Sequence, residues 1–179
     1  MVDPGTAAAL LALARDAVAR WARGEPAPVA AVPGADQPAG AFVSLYRRGA
    51  LRGCIGHLDA DRALGEIVLA MAVAAARDDP RFPPLTRDEL DGLEVELSVL
   101  SPCRAAAAAD VIPGRDGVLV RAGGRQGVLL PQVAREHGWD RDTLLTMACL
   151  KAGLEGGAWR AGQVELFTFE AQVITADTV

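Results

Sequence analysis

The segment Leu51-Arg52-Gly53-Cys54-Ile55-Gly56-His57 constrains this chain more than any other, because a thiol and a guanidinium stand there between residues that lack a Cβ. Upstream, Gly40-Ala41-Phe42-Val43-Ser44-Leu45-Tyr46 alternates apolar with small or polar residues, and Arg47-Arg48-Gly49-Ala50 supplies a turn. Two alternating runs about such a turn predict a β-hairpin. Successive side chains then point to opposite faces, so Leu51, Gly53, Ile55 and His57 share one face while Arg52, Cys54 and Gly56 share the other. Leu51 and Ile55 mark the core face, which leaves Cys54 beside Arg52 on the opposite side.

That arrangement has chemical content. Residues two apart on one strand face lie about 7 Å apart, and a cation at that distance favours thiolate over thiol. Gly53 and Gly56 let the backbone approach a ligand closely, with N–H groups available to an anion or oxyanion. A structural reading competes: cysteine also fills tight apolar spots, and strand glycines also mark bulges. The sequence leaves both open.

Composition narrows the function classes. Hydrophobic residues make up 51% and charged residues 23%, a balance that suits a folded chain of 179 residues with one substantial core or two small subdomains. No run approaches the ~18 apolar residues of a membrane span, and Met1-Val2-Asp3-Pro4-Gly5 lacks the cationic start of a signal peptide, so the expected location is the cytoplasm, away from any membrane. A net charge of −5 with scattered arginines gives no footprint for a phosphate backbone, and no nucleic acid is expected as a partner. Cys54, Cys103 and Cys149 are odd in number and widely spaced, which argues against a disulfide framework. No cysteine pair has zinc-ligand spacing and the only histidines are His57 and His137, so no metal centre or cofactor is assigned, although an oxygen-ligand site stays open. Any cysteine-histidine couple must use one of those two.

The remaining elements follow in order. Thr6 is expected to cap a helix carrying Leu10, Leu13, Ala14, Ala17, Val18 and Trp21, stopped at Gly24. Residues 24–40, with Pro26, Pro28, Pro33 and Pro38, read as an extended connector over the surface. Asp59 or Asp61 is expected to open a second helix with Leu64, Ile67, Val68, Met71, Ala72 and Ala75 on its apolar stripe. The corner Arg77-Asp78-Asp79-Pro80-Arg81-Phe82-Pro83-Pro84-Leu85 is stiffened by proline. Its two carboxylates sit at a helix C-terminus and need partners, with Arg77 and Arg81 nearest. Asp79, Arg81 and Phe82 read either as a wall of a binding site or as a solvated corner.

Thr86 and Glu89 have capping-box spacing. Leu93 to Ser101 alternates as a strand with Leu93, Val95, Leu97 and Val99 inward and Glu94, Glu96 and Ser98 outward. Two short runs about Gly123-Gly124 make a second hairpin, Pro131 opens one helix, and Asp140 caps another with Cys149 on its apolar stripe. Gln163 to Ile174 reads as one long strand. This order predicts an α+β fold with a largely antiparallel sheet and flanking helices. No nucleotide-binding glycine fingerprint is present.

Taken together these segments resemble the AMMECR domain family, whose bacterial and archaeal members are protein A of the AmmeMemoRadiSam system. Phe42-Val43-Ser44-Leu45 with Leu51-Arg52-Gly53-Cys54-Ile55-Gly56 is similar to the family's signature hairpin, and Asp79-Pro80-Arg81-Phe82-Pro83-Pro84-Leu85 to its second hallmark. Pro113-Gly114-Arg115-Asp116-Gly117, the run from Gly127 to Val133 and Lys151-Ala152-Gly153-Leu154 follow in family order, so the likeness covers about residue 6 to 174 of a single AMMECR-type domain. It implies two unequal subdomains around a cleft, no established biochemical activity, and association with a Memo-like protein and a radical S-adenosylmethionine protein. His57 falls where the family varies.

Two classes of function are consistent with these residues. One is an accessory or binding module that uses Arg52, Gly53, Gly56, Asp79, Arg81 and Phe82 to hold a small molecule or a partner protein. The other is an enzyme with Cys54 as nucleophile or acyl/alkyl acceptor, and Asp79 or His57 positioning a proton. Homo-oligomerisation through an exposed strand or Trp21 is undecided by the sequence.

Overall fold

The computed structural model describes all 179 residues. In chain order the elements are α1 (Pro4–Arg23), β1 (Ala41–Arg47), β2 (Ala50–His57), α2 (Leu64–Arg77), β3 (Leu93–Leu100), β4 (Arg104–Ala105), β5 (Gly117–Ala122), β6 (Arg125–Leu129), α3 (Pro131–His137), α4 (Arg141–Lys151), β7 (Glu165–Phe169) and β8 (Ala171–Ile174), with single 3-10 turns at Arg87–Glu89 and Ala108–Asp110. Two antiparallel sheets result, of strand order β2-β1-β3-β8 and β4-β7-β5-β6. The fold is α+β, as the element order predicts. The chain divides into two compact units, residues 1–100 with 172–179 and residues 101–171.

The first unit is built by α1 and α2 covering one face of their sheet. Leu10, Leu11, Ala14, Ala17 and Val18 from α1, Ile67, Val68, Ala72 and Ala75 from α2, and Val43, Leu45, Leu97 and Val99 from the strands form one buried cluster. Each large aliphatic side chain taken out of water there contributes about 1.5–3 kcal/mol, which is why the two periodicities, 3.6 on the helices and 2 on the strands, select this packing.

Local chemistry sets the ends. α1 is capped by Asp3, not by Thr6: the Asp3 carboxylate accepts from the Gly5 and Thr6 N–H groups, and Pro4 occupies the first helical turn, where a missing N–H costs nothing. Thr6 instead donates its hydroxyl to Asp3 Oδ2 at 2.7 Å. α2 begins after Ala63 with no side-chain cap, so neither Asp59 nor Asp61 opens it. The connector serves instead, its Gln37 and Ala35 carbonyls accepting from Leu64 and Gly65 N–H. Val32 and Ala35 are also buried, so the proline-rich stretch is partly core.

The second unit has its own cluster, with Val118, Val120 and Leu129 from the strands against Ala134 of α3 and Leu144, Leu145, Ala148 and Cys149 of α4. Asp140 caps α4 by accepting from Thr143 N–H, as its spacing predicts. The run from Gln163 to Ile174 is not one strand. It breaks at Glu170 into β7 and β8, which belong to different sheets. At that break Ser101 N–H donates to the Glu170 carbonyl and Glu170 N–H donates to Ser101 Oγ, both at 2.9 Å.

Candidate functional site

The β1–β2 hairpin carries an irregularity that fixes where Cys54 points. Its two-residue turn has Arg48 at φ 53° and Gly49 at φ 76°, the positive values a tight hairpin turn requires. From that turn the register runs Arg47 to Ala50 and Tyr46 to Leu51, then jumps, so that Leu45 faces Gly53 and Ser44 faces Cys54. Arg52 is the extra residue of a β-bulge. Without it Cys54 would lie opposite Val43, a fully buried core residue, and cross-strand partners share a face. The bulge thus moves Cys54 away from the helices and puts Gly53 toward them.

Both glycines are explained by what lies above them. A Cβ on Gly53 would overlap the Ala75 carbonyl oxygen of α2, and one on Gly56 would overlap the Phe42 ring. Their missing side chains let a helix and an aromatic ring close onto the strand.

Cys54 is half-buried. Ser44 donates its hydroxyl to Cys54 Sγ at 3.3 Å, and the Cys54 N–H, which points off the free edge of β2, donates to Asp79 Oδ2 at 2.8 Å. Asp79 is 4% exposed and accepts three more bonds from Arg81, through its backbone N–H at 3.1 Å, Nε at 3.0 Å and Nη2 at 2.7 Å. Those side-chain bonds hold the Asp79 carboxyl well below the usual carboxylate range. The Cys54 and Arg81 N–H groups add to the effect, and burial opposes it. Asp79 is therefore a fixed anion, unsuited to passing protons. Arg81 is raised, chiefly by its bonds to Asp79, and a Cys54 thiolate contributes in the same direction.

Arg52 turns toward a different carboxylate. Its Nε and Nη2 grip Glu89 at 2.7 and 2.9 Å, and Nη2 also donates to the Pro83 carbonyl at 2.9 Å. The Glu89 carboxyl is lowered to about 2, first by Arg52 and further by Thr86, against the cost of burial. Thr86 N–H donates to Glu89 Oε2 at 2.9 Å, so one carboxylate both closes its own helical turn and clamps the bulge residue. The Phe82 ring lies under both guanidiniums, with Cζ of Arg52 and Arg81 at 5.7 and 5.5 Å from its centroid.

Arg52, Cys54, Asp79, Arg81 and Phe82 thus form one connected cluster, with Gly53 and Gly56 shaping the strand beneath it. Two participants escaped the sequence reading. Glu89 reads only as a capping residue, because its partner lies 37 positions away. Ser44 reads only as a strand residue, because alternation cannot show the bulge that puts it opposite Cys54. His57 is not part of the cluster: three positions from Cys54 it takes the other face, and its Nε2 lies 2.7 Å from Asp61 Oδ1. No three His, Cys, Asp or Glu side chains are grouped so as to hold a metal ion. Cys149 is fully buried within the second unit, where burial raises its thiol.

Two cross-strand rows continue that sheet face. Ser44 faces Cys54 on one side and Glu96 on the other, and Phe42 likewise stands between Gly56 and Ser98. Ser98, which the alternation places outward, is 1% exposed.

Comparison with known proteins identifies the family. A Thermofilum pendens protein is 39% identical over 191 aligned positions, covering 96% of this chain and 90% of that protein. A Methanosarcina barkeri protein is 44% identical over 140 positions, covering 75% of this chain and 69% of its own. The crystal structure of an uncharacterized protein from Pyrococcus horikoshii superposes with a TM-score of 0.92 at 34% identity, covering 96% of this chain and 92% of that one. The AMMECR1 family model matches residues 11–174. The match takes in the hairpin, the proline-rich corner and both sheets, and the chain belongs to the AMMECR1 family.

Proposed function

We propose that this chain is a cytoplasmic binding module that acts with a Memo-like protein and a radical S-adenosylmethionine protein, presenting the surface around Arg52, Cys54, Arg81 and Phe82. The observation that carries this reading is that each charged group bonded around Cys54 is already held by an internal partner. Asp79 is saturated by Arg81 and backbone N–H groups, Arg52 by Glu89 and a carbonyl, and His57 faces away toward Asp61. Such groups build a rigid surface and do not move protons. Arg81, with its side chain 55% exposed, and the exposed Pro83 and Pro84 give that surface an outward edge, and the Phe82 ring, with the Arg52 and Arg81 guanidiniums 5.7 and 5.5 Å from its centroid, anchors its centre. Fixed aromatic and arginine groups are the kind that anchor interfaces.

The test is capture of a Memo-like protein by the purified chain. Cys54→Ser should retain it, whereas Arg52→Ala and Phe82→Ala should lose it. Equal capture by all three variants contradicts the reading.

One observation favours a second reading, in which Cys54 is a nucleophile or an acyl/alkyl acceptor. The Ser44 hydroxyl donates to its sulfur, and hydrogen bonds to the charged form lower a thiol pKa. Alkylation by iodoacetamide faster than that of a free thiol at about pH 6–7 supports this reading, and an ordinary rate ends it.

A further inference from the structure

A cavity of about 380 Å³ lies where β3 begins and the chain runs on from β8, walled by Arg15, Tyr46, Glu94, Glu96, Thr175 and Asp177. It shares no residue with the Cys54 cluster. Its volume falls in the range of small-molecule sites, about 300–1,000 Å³. Arg15 stands on α1 and Glu94 and Glu96 on β3, and the tail forms a local turn in which Thr175 N–H donates to Thr178 Oγ1 at 2.8 Å and Thr178 Oγ1 donates to the Thr175 carbonyl at 3.1 Å.

The charges are what single this cavity out. Arg15, Glu94 and Asp177 close no ion pair with one another, although one residue along the same helix Asp16 pairs with Arg20 at 2.8 Å. Unlike charges held apart around one space leave room for a ligand that carries both signs. Glu94 and Asp177 stand against the Arg15 guanidinium, so the complementary ligand has more cationic than anionic groups. A dicarboxylate would meet net repulsion, and a purely cationic amine would face Arg15 without a counter-charge.

We propose that this cavity binds a basic α-amino acid, its carboxylate on Arg15 and its two ammonium groups on Glu94 and Asp177, with Glu96 and the Tyr46 ring completing the wall. The guanidinium takes the carboxylate in a fork and each ammonium takes a carboxylate, which reads both ends of the ligand at once.

The experiment titrates the full chain with L-lysine, followed by calorimetry and by amide chemical shifts. Two comparison ligands each lack one arm: cadaverine has no carboxylate and norleucine no side-chain ammonium. Lysine is expected to saturate below about 10 mM, with the largest shifts at residues 94–96 and 175–177, and each comparison ligand to bind at least about tenfold more weakly. Arg15→Gln should weaken lysine by about tenfold and leave cadaverine unchanged, and Glu94→Gln or Asp177→Asn should weaken lysine by a similar factor. All three side chains are at exposed positions, and melting temperatures equal to the parent's verify folding. Cys54→Ser should leave lysine binding unaltered, which keeps this site separate from the proposed interaction surface. No saturation, equal binding of either comparison ligand, shifts elsewhere, or variants without effect would each overturn the proposal.

Discussion

The Cys54 backbone N–H donates to the Asp79 carboxylate at 2.8 Å, joining the free edge of β2 to a proline-rich corner 25 positions later in the chain. An edge strand with unmet N–H groups is open to pairing with other chains, and here a buried carboxylate held in place by Arg81 takes up one such group. The same bond places the sulfur next to the Arg81 and Phe82 surface.

Replacing Asp79 with alanine removes the acceptor for Cys54 N–H, for Arg81 N–H and for the Arg81 guanidinium together. The expected loss is about 1–3 kcal/mol of unfolding free energy, the cost of leaving buried polar groups unmet. Arg81→Ala should cost less, because more than half of its side chain is exposed, at 55%, and water screens its share of the pair. Denaturant midpoints at constant m-value measure both.

Stability should fall in acid through identifiable groups. Glu89 titrates near 4.5 when free and is lowered to about 2 in the folded chain, so its contribution is fully present above pH 4.5 and is lost as pH drops toward 2. Asp79 is depressed in the same sense, so its contribution also disappears on acidification, beginning in the ordinary aspartate range. Unfolding free energy measured against pH should therefore decline below pH 4.5, and Glu89→Gln should flatten part of that decline.

Gly53→Ala should destabilise by about 1–3 kcal/mol or more, because its Cβ overlaps a helix backbone carbonyl that cannot move alone. Gly157→Ala, with open space around its Cβ, should change stability by less than about 0.5 kcal/mol. Thermal or denaturant unfolding of the two variants separates a packing requirement from a general preference for glycine.

Thiol labelling of the folded chain should divide the cysteines. Cys103 is exposed and Cys54 half-buried, while Cys149 is fully buried with a raised thiol. Mass spectrometry after brief iodoacetamide treatment should find Cys103 and Cys54 modified and Cys149 intact until denaturant is added. Ser44→Ala should slow the Cys54 reaction near neutral pH, since it removes the donor that favours the thiolate.

Much of this structure is readable in the residues, for stated physical reasons. Alternation and turn chemistry reveal both hairpins, helical spacing reveals α1, α2 and α4, and Arg77 and Arg81 are equally the nearest cations to Asp79 along the chain, of which Arg81 takes Asp79 and Arg77 takes Asp78. What could not be read depends on contacts distant in sequence. The bulge at Arg52 adds one residue to a regular pattern without disturbing its composition, so the pairing of Ser44 with Cys54 is hidden. Glu89 satisfies a local cap and a remote guanidinium with the same carboxylate, and only the local role leaves a motif. The run from Gln163 to Ile174 keeps a strand-like composition across Glu170, where the backbone bonds to Ser101 end one strand before the next begins in the other sheet.

The surface around Cys54 is tested most directly by measuring the affinity of a Memo-like protein for the parent chain, Cys54→Ser and Phe82→Ala side by side. The parent and Cys54→Ser should bind equally, and Phe82→Ala should bind at least about tenfold more weakly. Loss of binding in Cys54→Ser with Phe82→Ala unaffected would contradict the account and return the sulfur to the centre of the function.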